Sequence, residues 1–149
     1  NLENKIEIEP IESIKVKPIK VPHRDEFSET VGFIITGPKK KILFLPDIDK
    51  WSLWKEDLIR LLNEVDLAFL DGTFFDAKEV NYRPISEIPH PFVKETVEYL
   101  DSESFALKNK IYFIHLNHTN PLLSKKSEAS RWIRIKGFNV ARIGDEFEL

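Results

Sequence analysis

The chain has 149 residues, a net charge of −3 and an apolar content of 42%, which fits a single domain with a substantial core. The absence of cysteine excludes disulfides, thiolate metal sites and cysteine nucleophiles. The slightly negative net charge provides no positive potential to attract nucleic acid, so we expect no nucleic-acid partner. No apolar run approaches the ~18 residues of a membrane span, so we expect no association with a membrane.

The sequence starts at Asn1 and contains no methionine, so we expect it to be a fragment of a longer protein. A cytoplasmic location is expected, although a signal peptide upstream of Asn1 would leave no trace in this sequence. Any bound metal must use His, Asp or Glu as ligands, which suits zinc, manganese or iron.

Apolar alternation and continuous apolar runs predict four strands in the first part of the chain. They cover residues 4–9, 14–21, 31–36 and 41–45. Pro18 predicts an edge position for the second strand, because proline cannot donate a ladder hydrogen bond. Ser52 is a candidate N-cap of an amphipathic helix, and a buried strand follows over residues 66–70.

The rest of the chain alternates between helix and strand. The predictions, in order, are an irregular stretch over 76–90, a helix from Pro91 to about Leu100, a strand over 111–114, a helix over 127–136, and a hairpin of 138–143 with 146–149. Pro91 suits the first position of a helix, Gly137 suits a helix stop, and Gly144-Asp145 suits a hairpin turn.

This order predicts an α/β fold of the α+β type, in which a mixed sheet carries helices on one face. Functional side chains are expected at the carboxyl ends of the parallel strands, because these ends meet at one edge of the sheet. Two histidines follow the strand over 111–114, namely His115 and His118. Because buried imidazoles are costly unless paired or liganded, they are the strongest functional candidates.

Other candidates occupy equivalent positions, and each has a purely structural alternative. His23 follows a strand but could lie in an exposed turn. Asp47 is the stronger ligand candidate of its loop, whereas Asp49 could cap the next helix. Asp71 follows a strand but precedes glycine, as in a simple turn. His90, between two prolines, is expected to be structural or to line the rim of a site.

Five segments together resemble one family. They are Val21–Phe33, Leu45–Trp51, Leu70–Phe75, Ile88–Pro91 and Ile114–Pro121. In this order they are similar to segments of the coenzyme PQQ synthesis protein B family, a branch of the metallo-β-lactamase superfamily. The resemblance covers nearly the whole chain and implies an αββα sandwich.

The resemblance also implies the roles of individual residues. In this superfamily the second half of the fold supplies three metal ligands, which fall on His23, Asp47 and His115, with Asp47 bridging two metals. His118 falls on a proton-donor or supporting position. Asp71 corresponds to an acid close to the site, and we assign it with His118 to the catalytic set.

The superfamily signature His-x-His-x-Asp-His is absent from these 149 residues. The resemblance therefore implies that residues 1–149 are the C-terminal half of one domain, whose N-terminal half is a missing partner. The implied function is a metal-dependent hydrolase that holds one or two divalent ions, zinc first, and acts on a small molecule. A non-catalytic carrier of a small anionic cofactor or its precursor is the alternative, and a homo-oligomer is a further expectation.

Overall fold

The computed structural model describes residues 7–24, 28–80 and 84–149, apart from the side chain of Ser86. A seven-stranded sheet forms its centre, and the strands follow one another across the sheet in chain order. The strands are β1 Ile8–Ile11, β2 Ile14–Lys20, β3 Val31–Thr36, β4 Lys41–Leu45, β5 Leu67–Asp71, β6 Ile111–Ile114 and β7 Asn139–Val140.

The strand directions bring five carboxyl ends to one edge of the sheet. β1 to β4 pair antiparallel, whereas β4 to β7 pair parallel. β2 therefore runs in the same direction as β4, β5, β6 and β7. The loops that leave β2, β4, β5 and β6 begin at this edge, as the expected site requires.

Four helices are present among the described residues, namely α1 Leu58–Asn63, α2 Val93–Tyr99, α3 Phe105–Asn109 and α4 Glu128–Ile135. The predicted start of the first helix at Ser52 is wrong, because Ser52 lies in a short 3₁₀ turn. Asp57 caps α1 instead, since its side chain accepts a hydrogen bond from the amide of Arg60. The predicted helix over 127–136 is confirmed, with Ser127 as N-cap.

The main core lies between one face of the sheet and the helices. Leu43, Leu70 and Phe113 are fully buried on this face and belong to one cluster with helical residues such as Leu61 and Ile133. Burial of this much apolar surface is the main stabilising contribution to the fold. The predicted mixed sheet with helices on one face is therefore confirmed.

The opposite face of the sheet carries a row of aromatic rings. Phe44, Phe69 and Tyr112 are neighbours there, with centroid separations of 6.3 Å and 5.7 Å. Phe147 covers part of the row, since its ring centroid lies 4.9 Å from that of Phe69. Phe44 and Tyr112 are only half-buried.

Two strand predictions are wrong in detail. Residues 146–149 form no strand, and β7 contains only two residues, which pair parallel with β6 rather than in a hairpin. β2 lies second in the sheet, not at the edge position that Pro18 predicted. The described pairing of β2 with β1 ends at Val16, before Pro18 is reached. The first predicted strand, over 4–9, extends into residues 1–6, which lie outside the described part of the chain.

Candidate metal centre

The four loops at the carboxyl edge are joined by backbone hydrogen bonds. The amide of Asp49 donates to the carbonyl of Pro22 at 2.8 Å, which joins the loop after β4 to the loop after β2. The amide of Gly72 donates to the carbonyl of Ile114 at 2.9 Å and joins β5 to β6 in the same way. These links join the loops in two pairs, and the amide of Ile48, which donates to the carboxylate of Asp71, connects the pairs. His23, Asp47, Asp71 and His115, which are distant in the sequence, therefore lie at one edge.

Asp71 is the most buried charged residue of this edge. Its side chain is 0% exposed and accepts hydrogen bonds from the amides of Ile48 and Thr73 at 3.2 Å and 2.8 Å. The Thr73 hydroxyl donates to the same carboxylate at 2.6 Å. Three donors therefore fix the orientation of this buried carboxylate.

Thr73 also connects Asp71 with His115. Because the Thr73 hydroxyl donates to Asp71, its oxygen is left to accept from Nδ1 of His115, 3.1 Å away. This arrangement places the His115 proton on Nδ1 and leaves Nε2 with a free lone pair. His115 itself has φ of +58°, a left-handed conformation that turns the chain sharply at the end of β6.

His23 is oriented by a different acid. Its Nδ1 lies 2.9 Å from Oδ1 of Asp49, and its Nε2 lies 3.4 Å from Oδ2 of Asp47. The carboxylate of Asp49 can only accept, so it holds the proton on Nδ1 and presents the free Nε2 towards Asp47. The alternative in which Asp49 caps a helix is wrong, since the following 3₁₀ turn has no side-chain cap.

Asp47 provides the oxygen that is best placed for a cation. Oδ1 of Asp47 is buried, yet it has no hydrogen-bond partner in the described part of the chain. Asp47, Asp71 and His115 each offer one ligand atom, and these three atoms lie within 4.8 Å of one another. Carboxylate oxygen and imidazole nitrogen at such separations form a donor set that suits zinc and related divalent ions.

His90, which was expected to be structural or to line the rim of a site, contacts two acids of the cluster. Its Nδ1 lies 2.8 Å from Oδ2 of Asp71 and 3.4 Å from Oδ1 of Asp47. Its ring centroid is 5.6 Å from that of His23 and 6.2 Å from that of His115. The strand-end pattern could not identify it, since it follows a short 3₁₀ turn, and only the Ile88–Pro91 segment of the family resemblance pointed to it.

The pKa of His90 is raised above its usual value by opposing influences. Burial lowers it, whereas the hydrogen bond and charge of Asp71 and the charges of Asp47 and Asp49 raise it by more in total. The acidic side chains therefore dominate the electrostatics of this edge when no cation is bound.

His118 lies apart from these contacts. Its side chain is exposed in the turn after β6, and within the described ranges it forms no hydrogen bond, ion pair or ring contact with the cluster.

Asn120, two residues later, is 2% exposed and supports the site. Its amide donates to the carbonyl of Gly72 at 2.7 Å and to that of Thr73 at 3.2 Å.

Comparison with known proteins gives the family of the chain. A family profile described as "Beta-lactamase superfamily domain" matches residues 1–134. The chain belongs to the beta-lactamase superfamily. The sequence is similar to "Coenzyme PQQ synthesis protein B" of Methylobacterium sp. (strain 4-46), with 28% identity over 125 residues. The protein of that name from Acinetobacter baumannii (strain ACICU) is 24% identical over 156 residues.

A solved structure has the same fold. Zn²⁺-bound PqqB from Methylobacterium extorquens superposes with a TM-score of 0.72 at 22% identity, over 97% of this chain and 54% of the other. The two sequence relatives are matched over 40% and 50% of their length, so the chain spans about half the length of the curated relatives it matches. Within the described residues, no helix is long and apolar enough to cross a bilayer.

Proposed function

We propose that this beta-lactamase superfamily chain supplies metal ligands to a metal-dependent hydrolase that acts on a small molecule. The observation that carries the proposal is the convergence of Asp47, Asp71 and His115, with ligand atoms within 4.8 Å of one another. A solvated surface cluster would leave each carboxylate oxygen in contact with water. Among the described residues Oδ1 of Asp47 is buried and accepts no hydrogen bond, and its recorded ion-pair contact is with Nδ1 of His90 at 3.4 Å. A buried carboxylate oxygen in this position is stabilised by a bound cation.

The residues present suit a divalent ion. Asp47, Asp71 and His115 would hold it, and the free nitrogens of His23 and His90 would complete its ligand set or hold a second ion. Zinc is proposed first because its preferred ligands are imidazole nitrogen and carboxylate oxygen, although manganese and iron accept the same donors. When bound, such an ion supplies a Lewis acid and lowers the pKa of its water to about 7.

The protein residues of the site do the positioning. Asp71 holds His90 through Nδ1 and, through Thr73, orients His115. Asp49 does the same for His23. Because each imidazole proton is fixed on Nδ1, each Nε2 is available to bind an ion or to accept a proton. His118, exposed beside this edge, is proposed as the proton donor to a leaving group.

A second β-sheet is proposed as the partner of the aromatic sheet face. Phe44 and Tyr112 on that face are only half-buried. The relatives are about twice as long as this chain, so the other half of their fold is the proposed source of this sheet. A sandwich of two sheets would also bring further ligands to the carboxyl edge.

Metal uptake and hydrolysis by the intact protein test the proposal. The protein is stripped with a chelator, reloaded with zinc, manganese or iron, and assayed for bound metal by elemental analysis and for cleavage of 4-nitrophenyl esters and phosphodiesters. Wild type is expected to take up metal and to need it for activity. Asp47→Asn and His115→Ala are expected to lose both, whereas the exposed control Asp145→Asn retains both.

Unchanged metal content and activity in both His115→Ala and Asp47→Asn would refute the proposed centre. Metal-independent binding of a small anionic molecule, without turnover, would instead support the carrier alternative.

A further inference from the structure

A cavity of about 280 Å³ adjoins the candidate metal centre. Its lining includes His23, Thr73 and His90, which all belong to the cluster described above. Phe74, Ile88 and Pro89 form its apolar wall. A cavity of this size beside a metal centre can hold part of a small substrate. The apolar wall would contact the hydrocarbon part of the substrate, and the candidate metal ligands would face the bond that reacts.

Arg24 also lines this cavity. Its side chain is exposed, and it has no hydrogen bond or ion pair recorded with any described residue. Arg24 directly follows His23, whose ring is fixed by Asp49, so the position of its backbone is tied to the metal centre. A guanidinium that pairs with no carboxylate among the described residues retains five donors in a rigid fork, and this fork matches a carboxylate or phosphoryl group.

Glu87 lines the same cavity from a different segment, the 3₁₀ turn over Ile85–Glu87. It too is exposed, and none of the ion pairs among the described residues involves it. Arg24 and Glu87 therefore bring opposite charges to one small cavity. Glu87 repels an anion that is held by Arg24, so it weakens the binding of anionic ligands in this cavity.

We propose that Arg24 is a specificity-determining residue that binds an anionic group of the substrate, with a carboxylate as the simplest case, while Glu87 limits the strength of this binding. This inference rests on the proposed function, since it assigns the binding partner of the same site. The anionic group binds away from the reacting bond, in the cavity between Arg24 and the apolar wall.

Three probes of matched size test the proposal in the intact protein, namely benzoate, phenylphosphonate at pH 8 and benzamide. They share a ring and differ in charge, and protein-observed NMR titration measures their affinities. Wild type is expected to bind benzoate more tightly than benzamide. Arg24→Gln is expected to weaken benzoate binding about five- to tenfold and to leave benzamide unchanged. Glu87→Gln is expected to strengthen phenylphosphonate binding.

The exposed Arg131 provides the matched control, because Arg131→Gln removes the same charge from α4, an element that does not line the cavity. Equal benzoate affinity in wild type and Arg24→Gln, or no benzoate binding by wild type, would overturn the proposal. Repeating the titrations after metal removal separates this inference from the proposed function. A protein that takes up no metal but still shows the Arg24-dependent difference would refute the hydrolase and leave the anion site intact.

Discussion

Nδ1 of His90 lies 2.8 Å from Oδ2 of Asp71, a carboxylate with no exposed surface. The two residues lie 19 positions apart, on separate elements. Through this contact and the Thr73 hydroxyl, one buried acid orients two imidazoles of the cluster. Asp71 is therefore a structural centre of the edge as well as a candidate metal ligand.

The first prediction concerns the stability of the metal-free protein. Asp71→Ala leaves the amides of Ile48 and Thr73 without an acceptor in a buried position. We expect the free energy of unfolding to fall by about 3 to 5 kcal/mol, because the buried amides would lose their hydrogen bonds and could not form new ones with water. Urea denaturation in the presence of a chelator measures this loss.

The control for this prediction is Asp145→Ala. Asp145 accepts a hydrogen bond from the amide of Arg142 at 2.8 Å, but it is exposed. Its replacement is expected to cost less than about 1 kcal/mol, because water can satisfy the freed donor. Similar losses in the two variants would show that Asp71 does not organise the edge.

The predictable part of the site is the part that depends on local sequence. A buried apolar strand that stops on an acid or a histidine is visible in the sequence, and Asp47, Asp71 and His115 all follow that pattern. The parallel arrangement of β4, β5 and β6 then places the three together. Strand direction determines the edge at which these side chains lie, and this much can be read from the sequence. The family resemblance gave His23, Asp47 and His115 as the metal ligands, whereas the structure groups Asp71 rather than His23 with Asp47 and His115.

The contacts of His90 and Asp49 could not be predicted in this way. His90 contacts Asp71, and Asp49 contacts His23, and in each pair the two residues come from different segments of the chain. The periodicity of apolar residues in the sequence carries no information about such pairs. The start of α1 was missed for a related reason. Ser52 and Asp57 are both good N-cap residues, and tertiary packing of Leu58 and Leu61 decides between them.

The second prediction tests Asp49 as a positioning residue. Asp49→Ala removes the acceptor that fixes the His23 proton on Nδ1, while the ring and its neighbour Asp47 remain. We expect metal affinity to fall about 10- to 100-fold, as is usual when the partner of a liganding imidazole is lost. Competition titration against a fluorescent chelator measures the affinity.

Asp66→Ala is the matched control for Asp49→Ala. Asp66 is an exposed acid that accepts a hydrogen bond from the amide of Lys41, away from the carboxyl edge. The metal affinity of the Asp66→Ala protein is expected to equal that of wild type. An Asp49→Ala protein with unreduced affinity would mean that His23 needs no such support or does not bind the metal.

The third prediction follows from the raised pKa of His90 in the metal-free protein. Its folded-state pKa lies above the unfolded value of about 6.5, so His90 adds stability that is complete below that pH. This contribution is lost as the pH rises through the folded-state pKa. The stability difference between wild type and His90→Gln is therefore expected to be largest at acidic pH and to shrink towards alkaline pH.

Urea denaturation over a range of pH, with chelator present throughout, measures this difference. The same comparison in an Asp71→Asn background is the control, because it removes the charge that hydrogen-bonds to His90. There the pH dependence is expected to weaken. A wild-type difference that does not vary with pH, or that grows with rising pH, would contradict the assigned sign.

The last prediction concerns Asn120, which links two loops of the site. Its amide donates to the carbonyls of Gly72 and Thr73, and its oxygen accepts from the amide of Leu122 at 2.9 Å. Asn120→Ala strands these buried groups, so we expect the free energy of unfolding to fall by about 2 to 4 kcal/mol. Metal affinity should fall as well, since the carbonyl that Asn120 holds belongs to Thr73, the residue that bridges Asp71 and His115.

Asn117→Ala separates this role from a general effect of the loop. The side chain of Asn117 donates to Thr119, an exposed contact, so its loss should change stability little. Asn120→Asp is the sharper variant, because it retains the acceptor for Leu122 but turns a carboxylate towards the carbonyls of Gly72 and Thr73. If Asn120→Asp were as stable as wild type, the two donated hydrogen bonds could not be what holds the loops together.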